Sequence, residues 1–333
     1  MKNKRIKYIS LASVLSAIAV VFLHVNESVK FFAPNAGWFS ANIIHSIFFP
    51  AVPIFFMISG AMLLNFKEKY DLKTYSHKRI SKTVIPYIVW SFFGLFFQIF
   101  FLKTISINQI NLSYILFGLI NGSIVGVYWF FILLFLFYIL IPVIFPVATD
   151  KKHCLYAIIC LFAINLLVSP DGYSKIAIIC YVFYGLVGYY IHTWGISKKH
   201  KYIWYLLAIC GLIIQIMGTY YLSNLSGEIN YYFKNYTHFV CIFYSIGLFI
   251  FIKYDLVNIM DYEIIDKMVS FLDFYTFGIY LIHWYVLKAL IRIFNIHITS
   301  IYWKLFAPFI IISISVLLIY LIRKIPIVEK IVP

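Results

Sequence analysis

The sequence is short of charge, and shortest of acid. Asp and Glu together number 12, and charged residues of both signs make up 12% of its 333 residues, where an ordinary soluble domain carries about a quarter. It also lacks any long polar stretch. The longest, Asn65 to Lys82, is too short for a soluble domain of roughly 50 residues or more, so residues 1–333 are expected to form a single membrane domain with no separate soluble part. The five cysteines (Cys154, Cys160, Cys180, Cys210, Cys241) form no CxxC pair and lie scattered in apolar runs. They read as small packed residues rather than as a zinc site or a disulfide frame, and no metal is expected.

What fills the chain instead is apolar: 63% of the residues, with a mean hydropathy of +0.93, which identifies an integral membrane protein. The apolar runs are long and do not alternate, so they are helices of about 20 residues rather than the ten-residue strands of a barrel. Spans are expected at Ile9–Glu27, Asn42–Leu64, Thr83–Leu102, Val125–Val147, Cys154–Val168, Ile176–His192, Tyr202–Leu222, His238–Lys253, Ser270–Leu290 and Trp303–Ile322. Ser113–Asn121 is a half-length apolar piece, either re-entrant or lying on the outer surface. The expected fold is an all-α integral membrane bundle of about ten transmembrane helices.

Lys and Arg number 27 and leave a formal charge of +15. In a soluble protein that surplus would point to nucleic acid. Beside apolar spans it sets topology, because basic residues concentrate in cytoplasmic loops. With the N-terminus cytoplasmic, the inner segments take Lys2 to Lys7, Lys67 to Lys82, Lys151, Lys152, Lys198 to Lys201, Lys253, Lys267, Arg323, Lys324 and Lys330. Only Lys30, Lys103, Lys175, Lys234, Lys288, Arg292 and Lys304 fall outside or near outer helix ends. Both termini are therefore expected in the cytoplasm of a multi-pass protein of the cell (inner or plasma) membrane, whose partners include the bilayer and no nucleic acid. A basic start before an apolar run also fits a cleavable signal, but Ile9–Leu23 is long for a signal core and no small-x-small site follows.

Ionisable side chains at membrane depth are costly and mark function by default, at on the order of 2.5–3.5 kcal/mol each for charged types. Among those within the expected spans, His24, Glu27, His45, Asp273 and His283 stand out. At about 1.5 Å per residue, His24 is some 25 Å and His283 about 20 Å from the inner ends of their spans, so the two can face each other in the outer half of the bilayer. Glu27 follows His24 by three residues, on the same helix face. A carboxylate there would orient the imidazole and raise its basicity, as a general base requires; the plainer reading is a structural histidine with Glu27 at the interface. Tyr231, Tyr232, Phe233 and Tyr236, with Asn230 and Asn235, cluster in one outer loop. They either anchor the loop at the interface or hold a sugar between rings and amides.

Several segments in order carry a resemblance. They are Phe22-Leu23-His24, then Val52-Pro53-Ile54-Phe55-Phe56-Met57-Ile58-Ser59-Gly60, then the basic loop ending Lys78-Arg79-Ile80-Ser81-Lys82-Thr83-Val84-Ile85-Pro86-Tyr87. Tyr128-Trp129-Phe130-Phe131 with Tyr138 and Pro142, Phe183-Tyr184-Gly185-Leu186-Val187-Gly188, and Phe277-Gly278-Ile279-Tyr280-Leu281-Ile282-His283 follow. Together they resemble the integral-membrane acyltransferase-3 family, and most nearly its branch similar to the enterobacterial common-antigen O-acetyltransferases. The resemblance implies transfer of an acyl group, usually acetyl from cytoplasmic acetyl-CoA, to a hydroxyl of a cell-envelope glycan or its lipid-linked precursor. It marks His24 as the functional histidine; His283, at a position where the family commonly has His, reads as a runner-up base, an electrophilic partner or a structural residue. In one respect the chain departs from the pattern: the family's first span carries an Arg eleven residues before its His, and that position here is Ser13.

Acyl transfer from a thioester needs a base for the incoming hydroxyl, donors for the carbonyl oxygen and a seat for the anionic cofactor head. The expected base is His24, oriented by Glu27. Lys78, Arg79 and Lys82 suit the phosphates of CoA, though inside-positive topology explains the same loop. Arg5 and Lys7, at the entrance of the first span, are expected to make up for the missing Arg. Ser59 and Gly60 read as helix-packing residues, and Tyr128 and Trp129 as cavity lining or packing. Two other classes fit parts of the sequence. A proton-coupled carrier or polysaccharide-export component would use buried His, Glu and Asp but predicts an internal repeat that the two halves do not display. A non-catalytic partner in envelope assembly would explain Ser13.

Overall fold

The computed structural model describes residues 5–168, 174–326 and 328–332, and within them the chain is helical throughout, with no strand. The helices are α1 (Lys7–Val25), α2 (Ala36–Phe48), α3 (Ala51–Leu63), α4 (Leu72–Arg79), α5 (Ile85–Phe96), α6 (Leu112–Asn121) and α7 (Trp129–Thr149). They continue as α8 (Lys151–Val168), α9 (Ile178–Thr193), α10 (Lys198–Ser226), α11 (Phe239–Tyr254), α12 (Glu263–Asp273), α13 (Thr276–Phe294) and α14 (Ile301–Ile322). Ten stretches are long and apolar enough to cross a membrane, with α2 and α3 sharing one and α4 and α5 another. The protein is a multi-pass membrane bundle, and each expected span has its counterpart. The half-length apolar piece is α6, a separate short helix.

One boundary moves. The expected ninth span began at Ser270 and included Asp273, whereas the structure starts α13 at Thr276 and gives Ser270 and Asp273 to α12. That helix is amphipathic: Ile264, Met268 and Phe271 recur at i, i+4 and i+7 and are exposed, with Glu263, Asp266 and Lys267 beside them. This pattern suits a helix lying along a membrane surface, so Asp273 is not a charge at membrane depth.

Ten crossings return the chain to the face on which it began. There Arg5 is hydrogen-bonded to Asp266 of α12, and Arg323, just past α14, donates to the Phe274 carbonyl. This is the terminal face of the bundle. α1 runs through the middle, packed by α2, α3, α11, α13 and α14, and most of its residues are buried. The tightest crossing, α3 on α9, joins two of the motif segments. A Cβ at Gly60 would collide with the Gly185 backbone, and one at Gly188 with the Met57 backbone. Only glycine permits this approach, by which helices gain dispersion contact in lipid.

Prolines shape the two composite spans. Pro50 separates α2 from α3, while Pro53, in the first turn of α3, needs no helical N–H. Between α4 and α5, residues Ile80–Val84 form a π turn just before Pro86, the wider ladder accommodating a ring that cannot donate.

Candidate functional site

α1 ends at Val25, and its last turn carries His24. The following Asn26 is fully buried and donates to the Ala41 carbonyl at 2.5 Å, tying the end of α1 to α2. Here, away from the terminal face, a cavity of about 590 Å³ opens between α1, α2, α3, α7, α13 and the loop joining α10 to α11. His24, Glu27, Lys30, His45 and Lys234 all line it, with Trp129, Tyr231, Asn235, Tyr236 and Trp284 as its aromatic and amide walls. A second cavity of about 330 Å³ among α8, α9, α10 and α11 has, apart from Tyr190, no titratable lining.

The expected pairing of His24 with His283 is present. Their ring centroids are 5.2 Å apart. His283 is wholly buried behind His24, and its Nδ1 lies 2.8 Å from the Tyr280 carbonyl and 3.0 Å from that of Ile279. A carbonyl only accepts, so Nδ1 carries the proton and Nε2 keeps the lone pair. That Nε2 is buried with no hydrogen-bond partner among the described residues. His24 is half-buried, faces the cavity and makes no hydrogen bond within the described residues. It therefore has room to engage a ligand.

Glu27 shares the cavity but is not the partner of His24. The helix stops two residues before it, at Val25, and Glu27 opens a 3₁₀ turn, so the three-residue helical spacing no longer aims the carboxylate at the imidazole. Its Oε1 accepts from Lys30 at 3.0 Å and its Oε2 from Lys288 of α13 at 2.9 Å. Burial alone would raise the pKa of Glu27, but the charge of Lys288 and then of Lys30 holds it down to about 2. Glu27 is thus a fixed anion that positions α13 against the end of α1. The near neighbour of His24 is an imidazole rather than a carboxylate.

The loop between α10 and α11 closes the cavity. Gln215 donates to the Phe233 carbonyl at 3.0 Å, Tyr184 to the Tyr236 carbonyl at 2.7 Å, and Ser223 accepts from the Asn230 N–H at 2.9 Å. The Tyr236 ring stacks on Phe49 at 4.4 Å and lies 5.9 Å from Trp129. Of the aromatic and amide cluster expected in this loop, Tyr231, Asn235 and Tyr236 line the cavity, whereas Phe233 packs over Gly218. Trp129 lines the cavity too. Tyr128 packs instead, its hydroxyl donating to the Leu281 carbonyl at 2.7 Å.

The residues assigned to the cofactor lie elsewhere, on or near the terminal face. Lys78 sits over the Tyr70 ring at 4.2 Å, Arg79 lies between the Tyr75 and Tyr138 rings, and Lys82 is exposed. Arg5 is paired with Asp266, and Lys7 with Asp261 at 3.5 Å and the Met260 carbonyl at 3.0 Å. Ser13, half-buried, donates to the Thr276 hydroxyl at 3.2 Å. The structure does not direct Arg5 or Lys7 toward Ser13, because acidic residues on and just before α12 hold both. The sequence reading missed Lys30, Lys234 and Lys288 as site residues; each had been counted only as an outer charge. The one signal in the sequence was Lys234 standing inside the aromatic and amide cluster.

A family model described as an acyltransferase domain matches residues 6–322. The chain belongs to the acyltransferase-3 family. It is accordingly a membrane acyltransferase, and the matched region holds the whole bundle from α1 to α14. No curated protein and no solved structure matches it.

Proposed function

We propose that this acyltransferase is an O-acyltransferase of the cell (inner or plasma) membrane. It would take an acyl group, most simply acetyl, from cytoplasmic acyl-CoA and place it on a hydroxyl of an envelope glycan or of a lipid-linked precursor. The order of motifs, which resembles that of the common-antigen O-acetyltransferase-like branch, supports this reading. So does the division of the bundle, which keeps the basic loop with Lys78, Arg79 and Lys82 near one face and the aromatic and amide cavity away from it.

The observation that carries the proposal is His24 facing a cavity walled by Trp129, Tyr231, Asn235, Tyr236 and Trp284. Rings offer apolar faces to sugar C–H groups, and amides pair with hydroxyls. In the proposed step the acceptor hydroxyl gives its proton to His24 as its oxygen attacks the acyl carbonyl. The carbon–sulfur bond then breaks, and the departing thiolate takes the proton back from the imidazolium. If the acyl group first passes to an enzyme nucleophile, the same base serves the second half-reaction.

The test is to delete the gene, restore it as wild type or as His24→Ala, and measure ester-linked acyl groups on the surface glycans by mass spectrometry. Loss of a positioned general base lowers rates by about 10²–10⁴-fold, so His24→Ala should leave ester content near that of the deletion. If His24→Ala is made, inserted and restores wild-type ester content, the base assignment is wrong.

A further inference from the structure

Lys234 is a lysine that the fold has taken out of water without a counter-ion among the described residues. Its side chain is 2% exposed, and among the described residues no carboxylate is within ion-pair distance of it. Its Nζ donates to Ser46 Oγ at 2.8 Å and to His45 Nδ1 at 3.3 Å, with the Asn42 carbonyl at the 3.5 Å limit. Ser46 spends its own proton on the Asn42 carbonyl at 2.8 Å, so toward Lys234 it can only accept. The break between α2 and α3 sets His45 and Ser46 on the last turn of α2, and the pinned loop above supplies the lysine. These neighbours fix the ammonium in place and leave its charge unanswered.

The rest of the cavity deepens the imbalance. Glu27 is already met by Lys30 in the cavity and by Lys288 beside it, so the described residues set three lysines against one carboxylate there. A desolvated ammonium without an anion is costly, and the cost is relieved when a ligand brings one. Lys304 is equally buried, but it donates to the Gly37 carbonyl at 2.8 Å and does not line the cavity. Burial of a lysine alone is therefore not the distinguishing feature of Lys234, which combines burial with a place in the wall of a cavity whose described carboxylate, Glu27, is already paired.

We propose that the acceptor enters this cavity by an anionic group, a phosphate or a carboxylate, and that Lys234 is the residue that receives it. The inference rests on the acyl-acceptor reading of the cavity and narrows the acceptor to an acidic sugar or a sugar carried on a phosphate. Oxygens of either kind accept from the ammonium in a charge-assisted bond while the neutral sugar ring lies against Tyr231, Tyr236 or Trp129.

The full-length protein in lipid nanodiscs tests this by ligand-observed NMR titration with methyl β-D-glucuronide, glucose 1-phosphate and the neutral methyl β-D-glucoside. At least one anionic probe should bind roughly tenfold or more tightly than the glucoside, as a buried charge-assisted hydrogen bond allows. Whichever anion is favoured identifies the source. Lys234→Gln should erase the preference, and Lys234→Arg should keep much of it. A second measurement needs no variant: saturating anionic probe should slow carbamylation of Lys234 by cyanate, read by peptide mass spectrometry, and leave Lys304 unchanged. The proposal is overturned if wild type prefers neither anion, if Lys234→Gln keeps the preference, or if the probes leave Lys234 labelling unaltered. Binding is read here without acyl transfer. An intact anion preference beside undiminished esters in His24→Ala would sink the transfer reading alone, and lost esters with no anion preference would sink this site alone.

Discussion

The protein carries two cationic regions, and they are built on opposite principles. On and near the terminal face, Lys73 and Lys82 are exposed, Lys78 and Arg79 rest on tyrosine rings, and Arg5 and Lys7 have acidic partners. Charges of this kind are solvated or paired and cost little, and they are what inside-positive topology supplies. At the cavity, Lys288 is partly buried against the lining Glu27, and Lys234 is buried with no carboxylate within ion-pair distance among the described residues. A cation held that way is costly, and the walls around it must hold it in place. The same residue type is thus solvated or paired in one region and desolvated in the other, and burial tells them apart.

The largest effect expected from this contrast is on stability. Lys288→Met removes the cation that meets Glu27 Oε2 and leaves part of a buried carboxylate unanswered. The expected cost is about 1–3 kcal/mol, seen as a drop of a few degrees in the thermal midpoint of the purified protein. Lys73→Met, on the exposed helix α4, should stay within about 0.5 kcal/mol. Equal shifts for the two would erase the distinction between the regions.

A smaller effect concerns pH. Burial pulls Lys234 down from the usual lysine range to about 7, so its charge, and with it the attraction for an anion, is full below about 7 and is lost as pH rises through that value. The groups that face it are His45 on α2 and Cys241 on α11, with His24, Glu27 and Lys30 in the same cavity. Glu27, held at about 2, does not titrate near neutrality. The readout is the affinity ratio of wild type to Lys234→Gln for methyl β-D-glucuronide, which stays ionised throughout. The ratio should fall by about tenfold between pH 6 and pH 9. A flat ratio would mean that the wall leaves Lys234 as charged as a surface lysine.

The fold was readable because its signals are local. Ten apolar runs match ten spans, and α13 begins furthest past its expected start, at Thr276 rather than Ser270, since Ser270 and Asp273 continue an amphipathic pattern that ends one helix before another starts. The meeting of His24 and His283 was readable too, as helix rise converts sequence distance into depth. What escaped depends on where helices stop and how loops close. Glu27 looked like the partner of His24 only while α1 was taken to continue past Val25. Lys234 reads as an outer charge in the sequence because the loop that carries it is pinned by Gln215, Tyr184 and the ring of Phe49 and its own partners are His45 and Ser46, none of them near it in sequence. Single-residue readings of charge fail in such places because desolvation is a tertiary property.

The smallest effects should come from the terminal face, and they decide how the missing arginine is met. If Lys78 and Lys82 offer charge to the phosphates of CoA, Lys78→Gln with Lys82→Gln should raise the KM for acetyl-CoA in membrane vesicles by about two- to fivefold, as expected for solvated point charges. The turnover at saturation should hold, because such contacts bind ground state and transition state alike. Arg5→Ala and Lys7→Ala should leave that KM where it is, since both cations are spent on Asp266 and Asp261 and Ser13 is already bonded to Thr276. A larger rise in KM for Arg5→Ala than for the Lys78 and Lys82 pair would reverse the assignment. It would mean that α12 gives up its ion pairs when the cofactor arrives, and that the amphipathic helix, rather than the basic loop, marks the cofactor's entrance.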